Sequence, residues 1–175
     1  VPLRAPFSKL GIARAELRGE VVIAKDVFDA INVRRAEEDL PTFQNPRNTA
    51  AGGLRMKDSS EVARRGMEAF IFHLGFAVSG EGTDLLDGSA KGLESHAAQL
   101  ERLAEFGFQV PGRAARERDW LNRKLPDGPT AGTKPLPPMR VAKGIDHALA
   151  FVEAWELQRD AYPWEIDGMV LKVND

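Results

Sequence analysis

The sequence predicts an α+β fold, a sheet core with flanking helices, and three apolar runs set among helical patterns are what predict it. Residues 15–25 (AELRGEVVIAK), 67–78 (MEAFIFHLGFAV) and 166–173 (IDGMVLKV) have the length and the branched or aromatic content of strands. Between them, apolar side chains recur at the spacing of one helix face. At 175 residues, with 43% hydrophobic and 29% charged side chains, the chain has room for one domain with a real core.

In the first run, alternation puts Glu16, Arg18, Glu20 and Val22 on one face and Leu17, Val21 and Ile23 on the other. Gly19 lies between Arg18 and Glu20, and its missing side chain lets another group come close. Asp26 is a plausible N-cap for a helix to about residue 37, followed by a mixed run of charges. Asn45 before Pro46 marks a second helix start, a capping side chain and then proline at the first position. The helix it opens is nearly free of bulk (Thr49, Ala50, Ala51, Gly52, Gly53), as if another backbone or a flat ligand lay against it. Residues 58–65 read as a short polar helix and 79–92 as a loop. Residues 94–106 read as an amphipathic helix stopped by Gly107. From 111 to 143 the composition shifts. Six of the eleven prolines fall there among arginines and lysines, so this stretch reads as loop or extended chain with one short helix near 116–125 and little to bury. Helix returns at 146–160, and Tyr162-Pro163 ends it.

The last apolar run carries the most unusual chemistry. Asp167 enters it and Lys172 sits near its exit, and charged groups beside a buried strand need partners or a ligand. Five residues apart they point to opposite sides of a regular strand, so they converge only if the chain bends, with Gly168 the natural place. The same pattern also describes a strand whose charged ends are simply solvated. Arg47 and Arg55 are eight apart, about 12 Å and within ~80° around a helix, a spacing that suits phosphate oxygens. His73 reads as a satisfied core histidine, with no second histidine near it in sequence. A net charge of −2 gives no global basic footprint, so nucleic-acid contact would be local. There is no cysteine, which excludes disulfides and thiolate metal ligands. No run approaches a membrane span. The chain opens Val1-Pro2-Leu3-Arg4 without an initiator Met and stops at Asp175 just past an apolar run, so it reads as a piece of something longer.

Taken in order, Leu17-Arg18-Gly19-Glu20-Val21, the stretch from Phe43 through Asn45-Pro46-Arg47-Asn48 to Gly52-Gly53-Leu54-Arg55, and Glu165-Ile166-Asp167-Gly168-Met169-Val170-Leu171-Lys172-Val173 resemble consecutive motifs of the adenylation domain of bacterial NAD-dependent DNA ligases. Weaker similarity joins them, at Phe72-His73-Leu74-Gly75, at 103–108 and in the Trp155 helix. The resemblance makes 1–175 a partial adenylation domain, with about 111–143 an insertion. It implies a nucleotidyltransferase fold of mainly antiparallel sheets with flanking helices, truncated at both ends. A cut sheet would leave open edges and a tendency to self-associate.

The resemblance also implies a chemistry. A lysine takes AMP from NAD, AMP passes to the 5′-phosphate of a nick, and the 3′-hydroxyl displaces it, sealing duplex DNA in replication and repair. Glu20 would contact the AMP ribose and, with Asp167, orient a hydrated Mg²⁺. Lys172 would bind the AMP phosphate and neutralise it under attack. Arg47 and Arg55 would lie along nucleotide and nicked-DNA phosphates. The implied setting is the bacterial cytoplasm at the nucleoid, with further ligase domains in cis and no membrane. One departure matters: the family's nucleophilic lysine lies in a Lys-x-Asp-Gly motif, and no such motif occurs in these 175 residues. The chain alone is therefore expected to be inactive. Two other readings stand beside this one: a non-catalytic nucleic-acid-binding module, and another nucleotidyltransferase such as an RNA ligase or capping enzyme. The Asn-Pro-Arg-Asn stretch disfavours the latter.

Overall fold

The computed structural model describes residues 7–88 and 90–174. The opening Val1-Pro2-Leu3-Arg4 and the final Asp175, on which the expectation of a cut chain rests, lie outside them, as does Ser89 of the 79–92 loop. Among the described residues there are six α-helices and one antiparallel sheet of two strands, an α+β arrangement.

After a 3-10 turn at Phe7–Leu10, β1 (Ile12–Val22) pairs with β2 (Glu68–Ser79) from Ile12↔Ser79 to Val22↔Glu68. The register slips at three places, leaving Ala13 on β1 and Gly75 and Phe72 on β2 without a direct partner. Each such bulge bends the ribbon and frees backbone from the ladder. Gly19 is required where it stands, because a Cβ there would overlap the Phe70 carbonyl oxygen. The group that comes close, expected from sequence, is thus the partner strand itself.

Buried Ile23 and Ala24 carry the chain from β1 into α1 (Lys25–Glu37). Ala24, not Asp26, is the N-cap: Lys25 N–H, one of the orphan donors of a first turn, is taken by the Pro163 carbonyl at 2.9 Å, so the helix starts earlier than expected. Asp26 falls in the first turn and receives Arg116 Nη1 at 2.6 Å. In α2 (Pro46–Leu54), Asn45 Oδ1 accepts from Asn48 N at 2.8 Å with Pro46 at the first position, as the sequence expects. Asp58 caps α3 (Ser59–Arg64) and Ser95 caps α4 (His96–Glu105), which packs its Leu100 and Leu103 against Leu74 and Ala77 of β2.

Residues 111–143 depart from the expectation that they bury little. They include α5 (Ala115–Leu121), and Ala114, Glu117, Trp120, Leu125 and Pro135 are all buried. Trp120 packs with Trp155 of α6 (Ile145–Glu156) and with Tyr162, which follows a 3-10 turn at Arg159–Ala161. Trp155 Nε1 donates to Pro137 O at 2.9 Å, and the Gln158 side chain bonds both backbone groups of Leu136. The arginines are fastened as well: Arg116 reaches Asp26 and Glu68, and Arg113 pairs with Glu101.

Residues 166–173 depart in the opposite direction. They form no strand, and Val170, Leu171 and Val173 are 79%, 51% and 83% exposed. Strand-forming side chains make a strand only where a neighbouring edge lies at ladder spacing. This stretch is instead tied by side chains, Lys172 to the Phe72 carbonyl and Asn174 to the Ala97 N–H.

Candidate functional site

The site begins at a fault in the sheet. Arg18 faces His73 and Gly19 faces Ile71, so Phe72 is the extra residue of a bulge on β2. Its carbonyl accepts from Lys172 Nζ at 3.1 Å, and the same ammonium stands 4.9 Å from the centre of the Phe72 ring. Lys172 lies 100 residues further along the chain. Around this contact opens a cleft of about 560 Å³ lined by Arg18, Phe72, His73, His96, Gln99 and Lys172. His96 begins α4 and its ring centre lies 6.1 Å from that of His73, so His73 has a second histidine beside it, contrary to the sequence reading. Nothing in the sequence paired them; only the packing of α4 on β2 does.

The cleft carries cationic side chains and is open to solvent. Burial pushes the Lys172 ammonium pKa down. Burial also pushes His96 down, and positive Lys172 and the neighbouring His73 add to the effect. Arg18 is steadied by Glu16, Nε to Oε1 at 2.6 Å, and remains open to solvent. Cations beside an aromatic wall suit a ligand that is flat at one end and anionic at the other. A second hollow of about 320 Å³, between α1 and α5, is different: its Lys25, Arg116 and Arg123 are matched by Asp26, Asp119 and Asp160.

The other sequence-selected residues fall around this cleft unevenly. Arg47 and Asp167, 120 residues apart, meet at 3.4 Å with side chains 76% and 92% exposed. Asp167 and Lys172 thus turn to different partners, Arg47 and the Phe72 carbonyl. Glu20 is exposed on β1 opposite Phe70, and its carboxylate has no hydrogen-bond or ion-pair partner among the described residues. Arg55 is the exposed C-cap of α2, its guanidinium likewise without a partner among them. The small side of α2 faces the chain itself, since a Cβ on Gly53 would strike Met67 Sδ, while Ala50 packs with Ile23 and Ile31.

For a divalent cation the described residues offer no group of three or more His, Asp, Glu or Cys side chains. Two exposed carboxylates, Glu20 and Asp167, can receive hydrogen bonds from the water shell of an ion such as Mg²⁺, which dehydrates reluctantly, but they are no cage for a bare one. No helix among the described residues is long and apolar enough to cross a membrane.

Comparison with known proteins bears on this arrangement. Residues 1–121 match the family model of the NAD-dependent DNA ligase adenylation domain. A DNA ligase of Sulfurihydrogenibium sp. (strain YO3AOP1) is 42% identical over 175 residues, which are 100% of this chain and 21% of that protein. The DNA ligase of Aquifex aeolicus is 40% identical over the whole chain and 20% of its own length. That of Clostridioides difficile is 34% identical over 159 residues, 91% of the chain and 18% of the relative. The chain spans about a fifth of the length of the curated relatives it matches.

Proposed function

This chain belongs to the NAD-dependent DNA ligase adenylation domain family, and from that premise we propose that it serves as part of an NAD-dependent DNA ligase, one that seals nicks in duplex DNA through ligase–AMP and DNA–AMP intermediates. The observation that carries the reading is the Lys172 cleft, where an ammonium, a guanidinium and two imidazoles gather beside the Phe72 ring. An adenylate has the matching halves, a flat base for the aromatic wall and a phosphate for Lys172 and Arg18. Nucleotidyl transfer builds negative charge at phosphorus, and a cation fixed beforehand stabilises that charge without having to be reoriented during the step.

In this reading Glu20 holds the ribose, Arg47 and Arg55 lie along phosphates of nucleotide and nicked DNA, and Asp167 and Glu20 receive hydrogen bonds from the water shell of Mg²⁺. The exposed Arg47–Asp167 pair is a resting contact, and a screened surface pair of this kind is worth only about 0–1 kcal/mol, little to displace. Bound magnesium would supply further charge at the transferring phosphate. The chain's own residues bind and orient around it, and no step here is assigned to the metal. In this reading residues from about 111 to 143 are an insertion in the adenylation domain, and the remaining ligase domains act in cis.

Lys172 is not the nucleophile. It is engaged as a donor to a backbone carbonyl, and no Lys-x-Asp-Gly occurs in these residues. Two measurements test the assignment. In a full-length ligase carrying this sequence, Lys172→Ala lowers nick sealing by about two orders of magnitude or more while leaving the fold intact, because one placed charge at a transferring phosphoryl group is commonly worth ~3 kcal/mol. Near-normal sealing would remove Lys172 from the site. The 175-residue chain alone, incubated with NAD and Mg²⁺, shows no gain of an AMP by intact-mass spectrometry. An adduct would place the nucleophile within it.

A further inference from the structure

The terminal stretch that carries Lys172 is exposed and outside the sheet, yet its ammonium sits in one place. Beyond Met169, which packs at the edge of the Trp155 cluster, two side chains, Lys172 and Asn174, reach back to the body of the molecule. Each finds a partner there, while Val173 between them is 83% exposed. Asn174 Oδ1 accepts from Ala97 N at 2.8 Å, 77 residues earlier in the chain and in the first turn of α4. That turn has several N–H groups without helical partners. Ser95 satisfies only Ala98 N, at 3.3 Å, which leaves Ala97 N for a side chain from elsewhere. His96, the residue just before Ala97, lines the Lys172 cleft together with Gln99 of the same helix. The same hydrogen bond therefore fixes the spacing between α4 and the terminal stretch, hence between His96 and Lys172.

We propose that Asn174 is a positioning residue for Lys172: by capping the first turn of α4 it holds the terminal stretch so that the ammonium stays on the Phe72 carbonyl and faces the cleft. The functional weight of this device rests on the reading of Lys172 given above, but its geometry can be tested without that reading. Past the Met169 contact, an exposed segment held by one flexible lysine would swing away from the cleft, since the side chain has many rotamers and water competes for its hydrogen bonds. A second tie two residues on removes that freedom.

The test is a spectrum of the 175-residue chain labelled with ¹³C at the lysine ε-carbons. In the unsubstituted chain one lysine ε-CH₂ resonance is displaced upfield by the Phe72 ring, and Phe72→Leu abolishes the displacement, assigning it to Lys172. Asn174→Ala returns that resonance to the position of the other lysines. Asn174→Asp keeps it displaced, because a carboxylate still accepts from Ala97 N and suits a helix N-terminus. Ser95→Ala removes the other cap of α4 and lowers thermal stability but leaves the resonance displaced, which separates positioning from a general loss of helix. The proposal is overturned if no lysine resonance depends on Phe72, if Asn174→Ala leaves the displacement in place, if Asn174→Asp loses it, or if Ser95→Ala removes it equally. Because the spectrum reads only where the ammonium sits, loss of the nick-sealing assignment for Lys172 would leave this result untouched, and the reverse holds as well.

Discussion

Residues 111–143 and 165–174 are both largely irregular backbone, yet the first is built into a core and the second lies on the surface. The first contributes Trp120 to a cluster with Trp155, Tyr162 and Trp164, whose neighbouring ring centres are 5.0 to 5.7 Å apart. It also sends a fully buried carboxylate, Glu117, to accept from Tyr162 Oη at 2.6 Å and from Ala114 N at 2.8 Å. The second contributes Ile166 and Met169 to the edge of that cluster and then runs out along the surface. Order in a segment without regular structure thus depends on a few large or fully satisfied anchors, not on its average composition. The buried segment is scaffold; the exposed one carries Asp167 and Lys172 at the surface, tied by a few side chains.

Removing the largest anchor should break the contrast most. Trp120→Ala costs about 3–5 kcal/mol in chemical denaturation, the usual cost of emptying a buried aromatic site, whereas Val173→Ala stays within about 0.5 kcal/mol. Equal effects would erase the distinction. Next, Glu117→Ala strands two buried donors, Tyr162 Oη–H and Ala114 N–H, at a cost of about 2–4 kcal/mol. Burial and the Glu117 carboxylate both push the Tyr162 phenol pKa up, so in this pair the tyrosine stays the donor.

Hydrogen exchange sharpens the same comparison at the backbone. The amides of Leu125, Gly132 and Leu136 are hydrogen-bonded within the molecule, to Thr133 O, Leu125 O and Gln158 Oε1. They should exchange at least tenfold more slowly than those of residues 168–173, about 1.4 kcal/mol in local opening free energy. Similar rates in the two segments would contradict the anchoring.

The smallest effect is on pH dependence, and it separates the two regions by window. His96 beside Lys172 has a lowered pKa, so the unfolded chain takes up the proton first. Stability is then unaffected well above the ordinary value of 6.5 and falls as the pH drops from there through the lower folded-state value. His96→Asn should remove that slope, worth a few °C or less in Tm. On the scaffold side Asp26 is held low, chiefly by its hydrogen bond from Arg116, so the tie between α1 and α5 persists above the ordinary aspartate value of 3.8 and is lost only as the pH falls through the still lower folded value. A melting profile in which His96→Asn leaves the slope near 6 unchanged would assign the effect elsewhere.

Local chemistry made much of the molecule readable in advance. Asn45-Pro46 starts α2 because the cap and the fixed proline φ act within four residues, and β2 follows from a dense apolar run. Asp167 and Lys172 stood out as charges flanking an apolar run and Arg47 and Arg55 by their spacing, whereas Glu20 was singled out only by the resemblance of its motif. Asp26 misled because a good capping side chain does not decide where a helix begins when the preceding backbone is already committed to the core. Sequence by itself therefore determined the elements whose causes are near neighbours, the β1 and β2 runs, most helices and the identity of the charged groups. Tertiary structure alone decided that His73 meets His96, that Arg47 meets Asp167, that Glu117 is buried, and that the Val170–Val173 run lies open. Each of those depends on contacts between residues far apart in the chain, and neither propensity nor periodicity carries any information about which distant surface will arrive.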